Sequence, residues 1–168
     1  LANDEGKVEW AITWPEDENG FCHSYCNTVV TPQGGTHELG FKSALLRSLK
    51  EYGEMANIKK AAAITSEDFL SDASIMLSVF IRDPQFQGQT KDKLTSNKAV
   101  RLVESAVKDN FDHWLTSDVE NATALLEYVI DRAEARKKKK EEKVASRKSA
   151  TKKLRLPGKL ADCSQAAA

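Results

Sequence analysis

The stretch at 83–94, DPQFQGQTKDKL, concentrates the donors that a polyphosphate needs: two lysines and three glutamines around one glycine. A terminal phosphate is held by a point charge together with directional N–H groups. A lysine ammonium supplies the first, and glutamine or backbone amides supply the second. GQTK offers all of these in one short run. Gly88 leaves the backbone open to close approach, and Gln89 and Lys91 project alike at i, i+2 in an extended loop. The Walker pattern G-x-x-x-x-G-K-[ST] is absent. On spacing alone, a solvated loop is the simpler reading.

TPQGGTH at 31–37 is a second candidate, because glycines ahead of a helix can cradle an anion. A tight turn needing positive φ at Gly34 or Gly35 accounts for the same residues, and no ligand is assigned there. The third candidate is the lysine run Lys137, Lys138, Lys139 and Lys140, continued by Lys143, Arg147, Lys148, Lys152, Lys153 and Arg155. It can contact phosphate backbones without reading sequence. No aromatic residue interleaves to stack on bases, and a solvated helix face explains the run equally well. Cys22 and Cys26, with His23 between them, invite a metal reading. In a strand they lie about 13 Å apart on one face, too far to bridge or to share a zinc. His37 and His113 are too isolated to build a site, so no metal is expected.

These residues need elements to position them, and the composition allows a core. The chain has 168 residues, 40% of them hydrophobic and 30% charged, which suits one domain or one domain with an appendage. No apolar run approaches the roughly 18 residues that span a bilayer, and LANDEGKVEW lacks the features of a signal peptide. The chain is expected to be cytoplasmic, without a membrane partner, and to be a piece of something longer because it lacks an initiator Met. Three cysteines argue against a disulfide framework. The net charge of zero hides an asymmetry. Residues 1–131 hold 12 Lys+Arg against 21 Asp+Glu, and residues 132–168 hold 13 against 4. An acidic body with a basic tail suggests a polyanion partner.

The periodicity predicts a strand over VEWAITW at 8–14, a turn at 15–20 and a returning strand at 21–30, read together as a hairpin. Thr36 is placed as the N-cap of a helix carrying Phe41, Leu45, Leu49 and Tyr52, and Gly53 is placed at its end. Thr65 and Asp68 suggest a short capped turn. Residues 73–82 predict a strand apolar on both sides, central or covered by helices. From Lys98 the period becomes helical through Leu102, Val103, Val107, Phe111 and Leu115. Ser117 and Glu120 form a capping-box pattern that starts a second helix, with Ala122, Leu126, Val129, Ile130 and Ala133 on its apolar face. Past Ala135 that stripe ends while helix formers continue, so the extension must project or bridge. The sum is an α+β fold, a short sheet with helices and a long C-terminal helix.

Three separated stretches carry a resemblance: NTVVTPQGGTHELGF (27–41), DPQFQGQTKDKL (83–94) and LPGKLADCS (156–164). In this order and spacing they resemble the B subunit of bacterial type IIA topoisomerases, over nearly the whole chain. Gln33 stands where gyrase B subunits usually carry Glu, which makes the first motif more similar to the topoisomerase IV branch than to gyrase.

The resemblance implies a transducer domain, similar in fold to the second domain of ribosomal protein S5, as a short, mostly antiparallel sheet with helices. It divides the chain into a body at 1–117, a long helix with a basic extension at 118–153, and a linker at 154–168. In the family this domain lies between an ATPase domain of the GHKL type and the metal-binding TOPRIM domain. The Q-T-K loop reaches into the ATPase domain and holds the ATP γ-phosphate, and those roles fall on Gln89 and Lys91. ATP is the implied cofactor, with Mg in the intact subunit at sites outside this segment. The implied partners are the ATPase and TOPRIM domains of the same subunit, the topoisomerase A subunit in an A2B2 heterotetramer, and double-stranded DNA. The activity implied for the intact enzyme is ATP-dependent change of DNA topology, with a part in chromosome segregation. The water-activating carboxylate would lie upstream of Leu1, and no E-G-D-S-A follows Cys163, so this piece alone is not expected to be catalytic. On that picture the 83–94 loop has nothing to hold within the chain and is expected to be mobile or poorly ordered in isolation; clear ordering against the body's own core would count against the reading. The basic residues Lys137–Lys140, Lys143 and Arg147 line a DNA cavity. The alternative is a non-enzymatic nucleic-acid-binding module with an S5-like fold and a basic helical arm.

Overall fold

The structure, a computed structural model, describes residues 2–3, 6–15 and 19–153. It divides into two compact units, Leu1–Ala133 and Glu134–Ala168. Linker 154–168, with LPGKLADCS, lies outside the described residues.

The first unit is built on a five-stranded mixed sheet. Its strands are β1 (Ala2–Asn3), β2 (Gly6–Thr13), β3 (Cys22–Cys26), β4 (Val29–Val30) and β5 (Ser74–Ile81), in the order β1-β2-β5-β3-β4. β5 runs antiparallel to β2, with Val8 opposite Val79 and Trp10 opposite Leu77. It runs parallel to β3, with Ser24 opposite Leu77 and Cys26 opposite Val79. The predicted β2–β3 hairpin is therefore wrong, because β5 lies between the two strands. On either side of the expected turn at 15–20, which lies partly outside the described residues, the Trp14 indole donates to the Phe69 carbonyl at 2.7 Å, and the Ile75 N–H donates to the Phe21 carbonyl at 2.7 Å. β5 is paired on both edges, a placement that a local alternation pattern does not encode.

The predicted strand 21–30 is also broken. Asn27 and Thr28 take φ of 48° and 68°, turning the chain so that Cys26 faces Val29. Two successive left-handed residues suit a tight hairpin between twisted strands. The Asn27 side chain is tied to β5 as well, with its amide donating to the Ile81 carbonyl at 2.9 Å and its carbonyl accepting the Ile81 N–H at 3.0 Å.

Helices α1 (Thr36–Met55) and α3 (Asn97–Ser117) cover one face of this sheet. Val8, Leu77 and Val79 from the strands meet Phe41, Leu45, Leu102, Val107 and Phe111 from the helices in one buried core. Trp10 lies edge-on to both Phe41 and Phe111, at 5.6 and 6.5 Å between ring centroids. The opposite face is open among the described residues, with Lys7, Glu9, His23 and Met76 exposed. β5 is central as expected, yet its second face is not covered.

Gly53 does not end α1. It is buried inside the helix, where a Cβ would lie 2.2 Å from that of Ala61 in the 3-10 turn Lys59–Ala63. The short helix α2 (Ser66–Leu70) carries the expected box, with the Thr65 N–H and hydroxyl both donating to Asp68.

α4 (Val119–Lys153) begins two residues after the expected cap, Ser117. Asp118 separates the helices and accepts the Asn121 N–H at 3.3 Å, whereas the Ser117 hydroxyl donates backward to Trp114. Carboxylate and hydroxyl are adjacent in sequence, and the one in the cap geometry wins. Ala122, Leu126, Val129, Ile130 and Ala133 are all buried, as the apolar stripe requires.

Candidate functional site

Asp83, at φ 51°, turns the chain out of β5. The segment then doubles back as a two-stranded ribbon, β6 (Phe86–Gln87) against β7 (Lys93–Leu94), with Phe86 opposite Leu94 and Gln87 opposite Lys93. The neck is closed by three bonds. The Gln85 N–H donates to the Ser96 hydroxyl at 2.7 Å, and both the N–H and the hydroxyl of Thr95 donate to the Gln85 carbonyl.

At the far end sits QTK. Gly88 has φ 81° and Lys91 has φ 57°, so two left-handed residues frame the tip. For lysine that conformation is uncommon and carries strain, a feature that concentrates at functional positions. Gln89, Thr90 and Lys91 are exposed. The Thr90 hydroxyl bonds the Asp92 carboxylate, which folds the tip on itself. The Lys91 ammonium lies 5.9 Å from the centroid of the Phe86 ring and makes no ion pair among the described residues. Its positive charge and the Gln89 amide are free to meet an acceptor from outside.

The base of the ribbon is held, contrary to the expectation that this loop holds nothing within the chain. Leu94 is fully buried, which by itself stabilises the base by about 1.5–3 kcal/mol. The holder is the other glycine-bearing stretch. Residues 31–34 form a turn in which the Gly34 N–H donates to the Thr31 carbonyl at 2.9 Å, with Pro32 supplying the preset φ. From that turn the Gln33 N–H donates to the Asp92 carbonyl at 2.9 Å, and the Gly34 carbonyl accepts the Leu94 N–H at 3.0 Å. Gly35 and Leu94 then pair as a parallel bridge. A Cβ on Gly35 would lie 2.2 Å from the Leu94 carbonyl oxygen, so only glycine permits this approach.

Gly35 is also the residue that caps α1, at φ 141°, in place of Thr36. The Thr36 hydroxyl is buried without a partner. The helix N-terminus faces a carboxylate of its own: Glu38 sits in the first turn, beneath Gly34, and accepts the Ser24 hydroxyl at 2.7 Å.

Ser24, Thr31, His37 and Glu38 form a mostly buried polar cluster behind the turn. The Thr31 hydroxyl donates to the Ser24 carbonyl at 2.9 Å and lies 2.8 Å from the Ser24 hydroxyl and 3.0 Å from His37 Nε2. His37 is fully buried, and burial pushes its pKa down to about 4 against a smaller upward pull from Glu38. The ring is neutral, and its Nδ1 has no partner. Along the sequence His37 stands as an isolated histidine, and its part in this cluster is not legible there. Its one signal is its place just after paired glycines, at the buried start of an amphipathic helix.

Cys22 and Cys26 stand four positions apart on β3, one exposed and the other buried, and do not converge. In the second unit, Lys137, Lys138, Lys139, Lys140 and Lys143 are exposed on α4. Arg147 belongs to the same helix by its backbone.

Residues 1–145 match the family model of DNA gyrase B. Among curated relatives, the B subunit of DNA topoisomerase 4 from Rickettsia felis is 62% identical over 163 residues, covering 96% of this chain and 25% of the relative. Its counterpart of the same name from Escherichia coli is 39% identical over 165 residues, covering 97% and 26%. The chain thus spans about a quarter of the length of these relatives. Of solved structures, the topoisomerase IV ATP-binding domain of Francisella tularensis, in complex with a small-molecule inhibitor, superposes with a TM-score of 0.74 at 31% identity, covering 81% of this chain and 38% of that one. The 43K ATPase domain of Thermus thermophilus gyrase B gives 0.75 at 28% identity, covering 86% and 39%.

Proposed function

The chain belongs to the DNA gyrase B family, and we propose that it is the transducer segment of a topoisomerase IV-type B subunit. In this reading the ribbon tip reports the γ-phosphate of ATP held by a neighbouring ATPase domain, and the segment relays that state to the DNA-cleaving core during strand passage. The naming of the relatives supports the topoisomerase IV branch over gyrase. The observation that carries the sensor role is the tip: an exposed ammonium and an exposed amide, unpaired within the described chain, on a ribbon anchored at its base.

The donor set suits a terminal phosphate. Lys91 supplies charge, Gln89 supplies direction, and Mg would be held elsewhere in the intact subunit. Lys91 meets the γ-phosphate only when the tip is inserted, so the docked arrangement of the two domains is favoured while that contact exists. A ligand shifts such an equilibrium only by the difference in its contacts between the two states. α4, continuous from Val119 to Lys153, is the element through which the change would pass towards a TOPRIM domain. The intact enzyme would pair with an A subunit, act on double-stranded DNA, change its topology with ATP and serve chromosome segregation from the cytoplasm. No helix among the described residues is long and apolar enough to cross a membrane.

In the full-length subunit, Lys91→Ala should abolish ATP turnover and leave the melting temperature nearly unchanged, since the ammonium has no ion-pair partner to lose. Turnover at the wild-type rate would remove the sensor role.

The second reading, a nucleic-acid-binding module without enzymatic function, draws on the exposed lysines of the second unit. Lys137, Lys138, Lys139, Lys140 and Lys143 would meet phosphates without reading sequence, with Arg147 next along the helix.

A further inference from the structure

We infer that Thr31 and Ser24, with His37 behind them, are positioning residues for Lys91. They act through the 31–34 turn that grips the base of the ribbon. The inference rests on the proposed role of Lys91 and goes beyond it, because none of these side chains lies at the tip.

Tip and body are connected by few bonds. Beyond the neck at Gln85, Thr95 and Ser96, the segment from Lys91 to Leu94 is tied to the body through two main-chain bonds, from Gln33 to Asp92 and from Leu94 to Gly34. Asp92 directly follows Lys91, so holding its carbonyl fixes the chain just after the left-handed residue. The gripping turn has its own fixed end at Thr31. The Thr31 N–H donates to the Ser24 carbonyl at 2.9 Å, and its hydroxyl donates to the same carbonyl at 2.9 Å. That hydroxyl also meets His37 Nε2 in the first turn of α1. The Ser24 hydroxyl links Thr31 to Glu38 in the same turn. The cluster therefore fastens three elements, β3, the turn and α1, at the point from which the ribbon is held.

Its burial gives it leverage. Thr31 and Ser24 are each 2% exposed and His37 is fully buried, so water does not replace a lost partner. Removing the Thr31 hydroxyl without changing shape orphans His37 Nε2 and loosens the turn, leaving Gln89 and Lys91 chemically intact. A positioning defect of this kind weakens ATP use without removing the donors. Loss of one net hydrogen bond corresponds to about a five- to tenfold effect.

The test uses the full-length subunit with Thr31→Val, Thr31→Ser, Ser24→Ala and Lys91→Ala, read by ATP kinetics and by hydrogen exchange without nucleotide. Thr31→Val should speed amide exchange in peptides covering 31–35 and 88–95 and leave β2 and α3 unchanged. It should raise KM for ATP about five- to tenfold, with a smaller change in kcat. Thr31→Ser should restore both readouts, and Ser24→Ala should give a milder form of the defect in case the valine variant folds poorly. If exchange at 88–95 and KM stay at wild-type values in Thr31→Val and Ser24→Ala while Lys91→Ala is inactive, the positioning role is overturned and the sensor role stands. If Lys91→Ala turns over normally, the sensor role fails. The exchange data then still decide whether the cluster holds the ribbon.

Discussion

The main-chain N–H of Gln33 donates to the main-chain carbonyl of Asp92 at 2.9 Å. This joins the two polar stretches that stand out in the sequence for opposite reasons. One supplies donors aimed outward, and the other supplies glycines that let a backbone come close. Neither stretch is a site alone. Together they make a tip with charge at its end and a base that transmits position. The grip is backbone to backbone, so its side-chain requirement falls on what must be absent, a Cβ at Gly35, and on what fixes the turn, Thr31.

Gly35→Ala tests the close approach. The new methyl would collide with the Leu94 carbonyl at a φ of 141°, a conformation that L-residues rarely adopt. The expected cost is about 1–3 kcal/mol, the range for a residue held in a sparsely populated region, with the clash adding to it. Urea unfolding of the full-length subunit should show a lower midpoint, and exchange should rise at 88–95. A midpoint equal to wild type would mean that the base of the ribbon yields freely.

Much of the fold is open to reading because burial imposes a period on sequence. Val8 and Trp10 on β2, Ile75, Leu77 and Val79 on β5, and Ala122 to Ala133 on α4 alternate or repeat as their elements demand. Strand order is hidden, since nothing in residues 8–30 records that β5 will enter between β2 and β3. Caps are ambiguous where two suitable residues adjoin, as at Gly35 with Thr36 and at Ser117 with Asp118. The donors Gln89 and Lys91 are visible as residue types, and the grip on Asp92 and Leu94 is not. That grip depends on main-chain groups brought together from distant positions, and main-chain groups leave no mark in a sequence.

His37 gives the fold a defined pH dependence. Its folded pKa of about 4 lies below the ordinary 6.5, so the unfolded chain binds the extra proton between those values. The contribution of the neutral ring is fully present above about pH 6.5 and is lost as pH falls towards 4, amounting to roughly 3 kcal/mol. The difference in unfolding free energy between wild type and His37→Gln should therefore shrink as pH drops through this window. A difference that stays constant from pH 7 to pH 4 would show that the buried ring does not titrate there.

The start of α4 separates two neighbouring candidates. Asp118→Ala should cost about 1 kcal/mol, because its carboxylate accepts the Asn121 N–H and bonds the Asn121 side chain at 2.7 Å. Ser117→Ala should cost less, since that hydroxyl donates only to the Trp114 carbonyl on an exposed helix end. Thermal unfolding of the two variants side by side should place Asp118→Ala lower. The reverse order would return the cap to Ser117.

The lysine run is tested by salt. Exposed lysines that meet DNA phosphates release counterions, so the slope of log K against log salt falls by roughly 0.9 for each contact removed. Replacing Lys137, Lys138, Lys139 and Lys140 by Gln in the full-length subunit should flatten that slope for double-stranded DNA. Lys143 would keep a residual dependence. ATP turnover without DNA should be unaffected, because Lys91 and its support lie in the other compact unit. The two readouts are independent: on the proposed reading, charge on α4 would govern attraction to the duplex, and the ribbon tip the response to nucleotide. If the slope does not change, the lysines serve as a solvated helix face.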